Sequence, residues 1–564
     1  MPPVSRRSAI TGLTSGVTLG AAALAGSPQL HSQTPTTQSF LHGVASGDPD
    51  QTSVVIWTRI TPAVIVQTRT GSGGVNGGEF SVEWEVAERA DFAQVLTRGT
   101  VTTNRYRDYT VKVVVDGLLS GQKYYYRFRY GAEVSVVGRT RTLPVGPLAQ
   151  LHIALASCSN YAFGFFNAYQ AMARDEAIDF VLHLGDYIYE YGVDGWGGET
   201  SIKLQRQHKP PHETVTLADY RTRHAQYKAD PDSIAMHAAH PLLLVWDDHE
   251  SANNPWRHGA QNHQLHEGAW RDRRLAALQA YYEWMPLRDP ETGVGRESFW
   301  RNYAFGDLAA LLTLETRHTG RSEQVDYRDY VDRLETQSQV DRFQREILGD
   351  PQRRMLSAEM EAFIDAQLQG AGRRWQLLGN AIPLARMPVP GLAQLGLEGV
   401  EVPEGNIDLV WKAQRNLPFY LDTWDGYAYA RERLYAQLQA ADVGEVIVFT
   451  GDSHAFWANR LHNSRGTPIG VEIGTAGISS PGDFVSRGFA PERVAELDRA
   501  FAAHVPEVLW TSNLYQGYVR VSITHPEIRC EYVAVNTTRR RDATAEVVQT
   551  VVVARHGQNL AITL

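Results

Sequence analysis

Four apolar segments, each followed at once by a short polar loop, constrain the fold of this chain more than any other feature. The segments cover residues 152–156, 179–184, 242–246 and 445–450. Continuous apolar runs of this length are typical of strands buried on both faces of an α/β sheet. Functional sites of such folds collect at the carboxyl ends of the strands. The sequence therefore predicts an α/β catalytic region whose site lies where the four loops meet.

The rest of the chain divides into two patterns. Helical periodicity recurs at 167–176, 270–284 and 358–368. Residues 39–145 instead hold short segments rich in β-branched and aromatic residues, which predict a small all-β sandwich. Because 564 residues exceed what one hydrophobic core usually organises, we expect at least two folding units, with the catalytic domain at 150–564.

The residues of the four loops are potential metal ligands. In chain order they are Cys158, Asp186, Tyr189, Asp247, Asp248, Asp452 and His454. A phosphate ester resists attack because its anionic oxygens repel hydroxide, and two cations about 3.5–4 Å apart offset that repulsion. One cation generates the attacking hydroxide, and the other polarises the phosphoryl oxygen. Thiolate and phenolate ligands favour iron, whereas an all-oxygen site suits calcium, magnesium or manganese, so the ligands predict two unlike metals.

Three other interpretations remain open. A lone Asp or His in a loop is more often a cap or a turn residue, although four such loops in one chain favour a site. Ser453, between Asp452 and His454, is a candidate nucleophile, but no separate base accompanies it. A binding protein without activity is the third hypothesis.

The formal charge of −9 disfavours non-specific attraction to nucleic acid, so we expect no nucleic-acid-binding domain.

The N-terminus predicts export. Arg6 and Arg7 precede a mildly apolar, Gly- and Ala-rich run at 10–25, which is typical of a twin-arginine signal. A membrane anchor is the alternative, but the run is short and Gly-rich for a span. We therefore expect a signal and linker at 1–38, the twin-arginine translocation machinery as partner, no stable membrane span in the mature chain, and a periplasmic or secreted protein.

The four loops also carry a family resemblance. Ala-Ser-Cys-Ser-Asn at 156–160, Gly-Asp-Tyr-Ile-Tyr at 185–189, Trp-Asp-Asp-His-Glu at 246–250 and Gly-Asp-Ser-His at 451–454 resemble, in this order, the PhoD-like alkaline phosphatases. Gly-Asp-x-x-Tyr is also similar to a motif of the purple acid phosphatases. The resemblance implies a metallophosphoesterase fold, which is a layered β-sandwich flanked by helices, after a small fibronectin- or Ig-like all-β domain.

The resemblance also implies the roles of individual residues. A ferric ion would be surrounded by Cys158, Asp186, Tyr189 and His454, and Asp186 would be shared with a second site. One or two calcium ions would be held there by Asp248 and Asp452, with Asp247 and Asn253 as further contributors. Catalytic roles fall to Asn160 as a donor to a phosphate oxygen, to His249 as a donor to the leaving group or a brace for a ligand, and to Arg317 as a phosphate partner.

The implied activity is hydrolysis of phosphate monoesters or diesters by a metal-activated hydroxide. A phospholipase D-type phosphodiesterase on the same metal centre is the alternative. Such an enzyme should expose an apolar rim, for which Trp196 and Trp256 are candidates. The chain departs from the family pattern at Glu315, where the family commonly has Asp, and at His318, so the pocket beside Arg317 is expected to differ in shape.

Overall fold

Strands buried on both faces form the centre of the fold, as the apolar segments predict. The structure is a computed structural model that describes residues 38–61, 78–369, 372–403 and 405–564. The predicted signal and linker at 1–38 lie outside the described residues, apart from position 38. Within the described part of the chain, no helix combines the length and the apolar character that crossing a membrane requires.

One large sheet has ten strands. Its spatial order is Asn559–Thr563, Ala545–His556, Glu527–Val535, Gln516–Thr524, Gln150–Ala156, Phe180–Leu184, Leu242–Val245, Val44–Gly47, Val54–Arg59 and Thr110–Val115. The strands Gln150–Ala156, Phe180–Leu184 and Leu242–Val245 are parallel neighbours. Their loops therefore leave the same edge of the sheet.

The second large sheet has seven strands. Its spatial order is Asn302–Phe305, Ala309–Thr313, Trp375–Gly379, Val446–Thr450, Pro468–Gly474, Phe456–His462 and Val508–Ser512. Leu155 and Leu182 of the first sheet share one core with Leu377 and Ile447 of the second. The two sheets are therefore packed as layers, and the predicted layered α/β arrangement is confirmed.

Strands of the N-terminal region belong to two sheets. Five of them form a sheet of their own, composed of Val95–Thr103, Phe80–Ala87, Lys123–Tyr130, Glu133–Val134 and Gly138–Arg141. Val44–Gly47, Val54–Arg59 and Thr110–Val115 instead extend the ten-stranded sheet, where Val44–Gly47 pairs in parallel with Leu242–Val245. A hairpin of Pro255–Trp256 and Gly259–Ala260 completes the described strands.

Helices cover the outer face of the ten-stranded sheet, where Tyr169 and Tyr281 pack on strand residues such as Val181. The described α-helices are Asn167–Arg174, Gly198–Leu204, Leu217–Lys228, Pro231–Ala239, Trp270–Trp284, Gln337–Phe343, Ala358–Leu368, Ile407–Ala413, Ala428–Ala440, Asp483–Ser486 and Pro491–His504. The predicted helices at 270–284 and 358–368 are confirmed at the same bounds. The predicted helix at 167–176 ends earlier, at Arg174.

Candidate metal centre

The four loops meet at one place, as the strand ends predict. Three of them follow parallel strands of the ten-stranded sheet, and the fourth follows Val446–Thr450 in the facing sheet. A methyl group at Gly185 would lie 2.4 Å from the Asp247 Cβ atom, and one at Gly451 would lie 2.3 Å from the Ser157 Oγ atom. Glycine at these two positions therefore allows the ligand-bearing loops to approach one another closely.

The first group of ligand atoms contains a thiol, a carboxylate and an imidazole. The ligand atoms of Cys158, Asp186 and His454 all lie within 4.8 Å of one another. The Tyr189 hydroxyl donates to Asp186 Oδ2 at 2.9 Å and lies 3.3 Å from His454 Nε2. The structure therefore brings together the four residues that the resemblance assigns to iron.

The second group is made of carboxylates. Ligand atoms of Asp247, Asp248 and Asp452 lie within 4.8 Å of one another, and those of Asp186, Asp248 and His249 form a third such group. Asp186 belongs to the first and third groups and Asp248 to the second and third, so the groups are joined. Asp247 Oδ2 and Asp248 Oδ1 are buried and have no hydrogen-bond partner among the described residues.

Burial makes these groups costly to ionise in the absence of a cation. It raises the pKa of Cys158 and of Asp186 well above their ordinary values, and neighbouring carboxylates raise both further. Burial likewise raises the pKa of Asp247 to about 6 although Arg317 acts against it. For Asp248, burial is outweighed by the nearby His249 and Arg317, so its pKa is lowered. A bound cation would favour the ionised form of every one of these ligands.

Arg317 lies behind the carboxylates and is fully buried. Its Nε donates to Asp247 Oδ1 at 2.5 Å, its Nη2 donates to Asp452 Oδ1 at 3.1 Å, and Asp248 Oδ1 is 3.8 Å away. It does not line the cavity described below. In this position the guanidinium compensates the charge of the carboxylates, whereas the sequence predicts contact with phosphate.

A cavity of 260 Å³ opens beside the joined groups. The predicted site residues that line it are Asp186, Asp248, His249, Asn253, Asp452 and His454, and residues not predicted there include Tyr420, Asp422 and Asp483. Trp196 also lines it, and its ring stacks on His454 with 5.2 Å between centroids. Trp196 is half-buried, so its ring both packs on His454 and borders the cavity.

The two predicted asparagine residues differ in their contacts. Asn160 is fully buried; its Oδ1 accepts from the Ala162 backbone, and its Nδ2 has no partner among the described residues. Asn253 is half-buried; its Oδ1 accepts from the Tyr191 hydroxyl at 3.1 Å, and its Nδ2 donates to Gln261 at 2.8 Å. A free donor thus remains on Asn160, while the Asn253 oxygen is shared with a hydroxyl.

Four of the predicted ligand residues have left-handed backbone conformations. The φ angles are 59° at Cys158, 56° at Asp186, 62° at Asp452 and 57° at His454. Non-glycine residues adopt this region at a cost of the order of 1–3 kcal/mol each and persist there when the surrounding structure holds them. Such residues cluster at functional sites, which agrees with a site at these loops.

Comparison with known proteins assigns the family. The family model of the PhoD-like phosphatases matches residues 153–532, and that of the PhoD-like phosphatase N-terminal domain matches residues 24–144. The chain belongs to the PhoD-like phosphatase family. It is 33% identical to alkaline phosphatase D of Bacillus subtilis (strain 168) over 529 residues, which cover 92% of this chain and 81% of that protein.

Solved structures agree with this assignment. The structure of PhoD matches with a TM-score of 0.77 and 30% identity, covering 95% of this chain and 94% of that chain. A purple acid phosphatase from yellow lupin seeds matches with a TM-score of 0.50 and 13% identity, over 89% and 74% of the two chains, and shows a similar fold. The predicted family and fold class are therefore confirmed, and this PhoD-like phosphatase is a hydrolase of phosphoric ester bonds.

Two buried glutamates support the centre of this PhoD-like phosphatase, and no role for either is predicted from the sequence. Glu250 accepts hydrogen bonds from the backbone N–H groups of Asp186 at 3.1 Å and Asp247 at 2.8 Å, which fixes two ligand loops together. Glu190 accepts from the Asn253 backbone and lies 2.7 Å from His249 Nδ1. The available signal was their position, since each directly follows a predicted site residue in a loop.

The departure at Glu315 has a structural role in this PhoD-like phosphatase. Its carboxylate accepts from the backbone N–H groups of Arg317 and His318, both at 2.7 Å, and from the Trp246 indole at 3.2 Å. Glu315 therefore fixes the loop that carries Arg317. His318 is buried, and neither of its ring nitrogens has a hydrogen-bond partner among the described residues.

Proposed function

We propose that this PhoD-like phosphatase is an exported, metal-dependent phosphoesterase that hydrolyses phosphate monoesters or diesters. The observation that carries the proposal is the joining of three groups of ligand atoms through Asp186 and Asp248 beside a cavity. Joined carboxylate groups of this kind suit a pair of cations that share a bridging ligand.

The residues present fit two unlike cations. Iron(III) would be held by Cys158, Asp186, Tyr189 and His454, and one or two calcium ions by Asp186, Asp247, Asp248, Asn253 and Asp452. Asp247 Oδ2 and Asp248 Oδ1 accept no hydrogen bond among the described residues, which supports this assignment, because burying a carboxylate oxygen without a hydrogen-bond donor or a bound cation is costly. When bound, the cations would lower the pKa of water and neutralise charge on the phosphoryl oxygens.

His249 is proposed to donate a proton to the leaving oxygen. It lines the cavity, and its Nδ1 lies 2.7 Å from Glu190 Oε2, so its Nε2 is the atom left for the substrate. Burial opposes a charge on His249, but Asp248 and Glu190 together raise its pKa well above the ordinary value. Protonated imidazole is the form that a general acid requires.

Asn160 and Arg317 are proposed to act in different ways. The unpartnered Nδ2 of Asn160 supports its role as a donor to a phosphoryl oxygen. Arg317 is proposed to hold Asp247 and Asp452 in place and to compensate their charge, which its two hydrogen bonds support. A phospholipase D-type activity would use these residues in the same way and would differ in the alcohol that is released.

Export is proposed from Arg6 and Arg7, which lie in the predicted signal. The twin-arginine machinery carries folded proteins, so a cofactor-bearing enzyme is a suitable passenger. Expression of the full chain and of an Arg6→Lys, Arg7→Lys variant, followed by fractionation, tests this step. Export is expected for the full chain and retention for the variant; equal export of both would contradict the proposal.

Elemental analysis of protein purified without added metal is the first test of the centre, together with absorbance spectroscopy and hydrolysis of a chromogenic monoester and diester. We expect iron, calcium and a visible charge-transfer band that Tyr189→Phe removes. Tyr191→Phe is the matched control, because the Tyr191 hydroxyl contacts Asn253 and not Cys158, Asp186 or His454. Protein that stays inactive after iron and calcium are restored would contradict the proposal, and the ratio of the two activities selects the substrate class.

A further inference from the structure

One aromatic side chain, Trp196, connects three of the ligand-bearing loops. Its indole stacks on the His454 ring, with 5.2 Å between ring centroids and 14° between ring planes. It also packs on Tyr189, in its own loop, at 5.9 Å and on Phe163 at 4.4 Å. Phe163 follows Cys158 in the loop after Gln150–Ala156, whereas His454 belongs to the loop of the facing sheet. Trp196 therefore joins loops that come from both large sheets.

A tight turn fixes the position of Trp196. The backbone N–H of Gly198 donates to the Gly195 carbonyl oxygen at 2.9 Å, which closes the turn around the tryptophan. Gly197 has a φ angle of 91°, and a methyl group there would lie 2.9 Å from a ring carbon of Phe163. Glycine at this position therefore lets the turn approach Phe163 closely, so that the indole reaches the ligand-bearing loops.

The plane of the His454 imidazole depends on this stacking. Among the described side chains, only the Tyr189 hydroxyl lies within hydrogen-bond distance of the ring, at 3.3 Å from Nε2. A hydrogen bond at one nitrogen lets the ring turn about that bond, whereas a stacked indole holds the plane of the ring. The lone pair that binds a metal lies in this plane, so the orientation of the ring decides whether His454 can act as a ligand.

We infer that Trp196 is a positioning residue that holds His454 in the orientation required to bind iron. This inference rests on the proposed function, because it concerns the proposed iron site. The groups that support a metal-binding histidine typically contribute about 10- to 100-fold to metal affinity or activity, so loss of the indole should weaken iron binding on that scale. The effect should be selective, because the proposed calcium ligands are carboxylates and an asparagine, which offer no ring for the indole to stack on.

The test measures how strongly the metal-loaded enzyme retains iron and calcium. The protein is titrated with deferoxamine, a chelator selective for ferric iron; elemental analysis gives the metals left per chain, and absorbance follows the charge-transfer band. For Trp196→Leu, which keeps apolar bulk but has no ring, the chelator concentration that removes half of the iron should fall about 10- to 100-fold. The band should disappear together with the iron, and the calcium content should stay the same.

Two further variants separate ring stacking from other effects. Trp196→Phe keeps an aromatic ring for His454 and should retain iron nearly as well as the unsubstituted protein. Trp300→Leu is the matched control, because Trp300 is also half-buried and packs on the ring of Phe363, outside the ligand-bearing loops. It should leave both metals and the hydrolysis of p-nitrophenyl phosphate unchanged.

The outcomes are distinguishable. Equal iron retention by Trp196→Leu and the unsubstituted protein overturns the inference and leaves the proposed function standing. Equal loss of iron from Trp196→Leu and Trp196→Phe also overturns it, because stacking would then play no part. Loss of calcium together with iron from Trp196→Leu overturns the selective role and indicates general support of the loops. Unsubstituted protein that binds no iron on loading and stays inactive overturns both the inference and the proposed function.

Discussion

Two buried clusters of ionisable groups lie on either side of one loop. They differ in how the energetic cost of burying a charge is reduced. Asp186 faces the acidic groups of the metal centre, whereas the next residue, Tyr187, faces Lys228. The Lys228 ammonium is buried between the rings of Trp57 and Tyr187, and its Nζ lies 3.0 Å from His237 Nε2. No carboxylate pairs with Lys228 among the described residues.

The comparison shows why buried charge alone does not identify a site. Burial lowers the pKa of Lys228 well below its ordinary value, so the lysine can become neutral inside an enclosed aromatic environment. The acidic groups instead converge on a cavity with unpartnered oxygens, so a cation can enter and satisfy them. Geometry around the charge, more than the charge itself, separates a ligand site from a structural cluster.

Asp186→Asn should have the largest effect on activity, because Asp186 joins two of the three groups of ligand atoms. We expect kcat/KM for p-nitrophenyl phosphate to fall by about 10²- to 10³-fold or more, with less metal bound per chain. Tyr187→Phe, one residue further along, is the matched control and should keep both activity and metal. Equal losses of activity in the two variants would show that activity depends on the conformation of the loop and not on the Asp186 carboxylate.

Arg317→Met should have the largest effect on stability. Its removal leaves Asp247 and Asp452 buried without compensation, and we expect metal-free protein to lose about 3–5 kcal/mol of its free energy of unfolding. Urea unfolding with and without calcium measures the effect. Calcium should restore part of the loss, and Arg317→Lys, which keeps the charge, should lose less. A loss that calcium does not change would mean that the cation does not occupy these carboxylates.

Lys228→Met should stabilise the protein at neutral pH by about 1–4 kcal/mol, because an apolar side chain replaces a buried base that has no carboxylate partner among the described residues. Between the lowered pKa of Lys228 and the pKa near 10.5 of an unfolded lysine, the unfolded state binds the extra proton. The free energy of unfolding of the unsubstituted protein therefore rises with pH in this window, by at most about 1.4 kcal/mol per pH unit.

The advantage of Lys228→Met should therefore shrink as the pH rises toward 10.5. Urea unfolding at pH 7 and pH 9.5 measures the difference, and activity should be retained because Lys228 lies outside the cavity. Lys203→Met, at an exposed lysine, is the control for net charge and should show no such dependence. An advantage that is constant with pH would mean that Lys228 stays charged in the folded protein.

Tyr187→Phe should have the smallest effect. The change removes a hydroxyl that lies 2.8 Å from His237 Nε2 and 3.2 Å from Ser233 Oγ, and we expect the free energy of unfolding to fall by about 1 kcal/mol. Thermal unfolding of the metal-loaded protein measures this loss. A much larger loss would indicate that the hydroxyl, and not the aromatic ring, holds the cluster around Lys228.

The buried strands of the catalytic region and the loops that carry the candidate ligands could be predicted from the sequence, because apolar runs and the residues that follow them are local features. The bounds of Trp270–Trp284 and Ala358–Leu368 follow from periodicity in the same way. The roles of Glu190 and Glu250 could not, since their partners are backbone N–H groups and side chains that only the fold brings near.

The sequence by itself determined which residues follow the ends of the buried strands. The types of these residues led us to expect a cation-binding phosphatase centre. The tertiary structure determined which partners each charged side chain contacts. It placed Arg317 behind Asp247 and Asp452, outside the lining of the cavity. The physical reason is that pairing and burial depend on contacts between residues far apart in the chain, which no local pattern encodes.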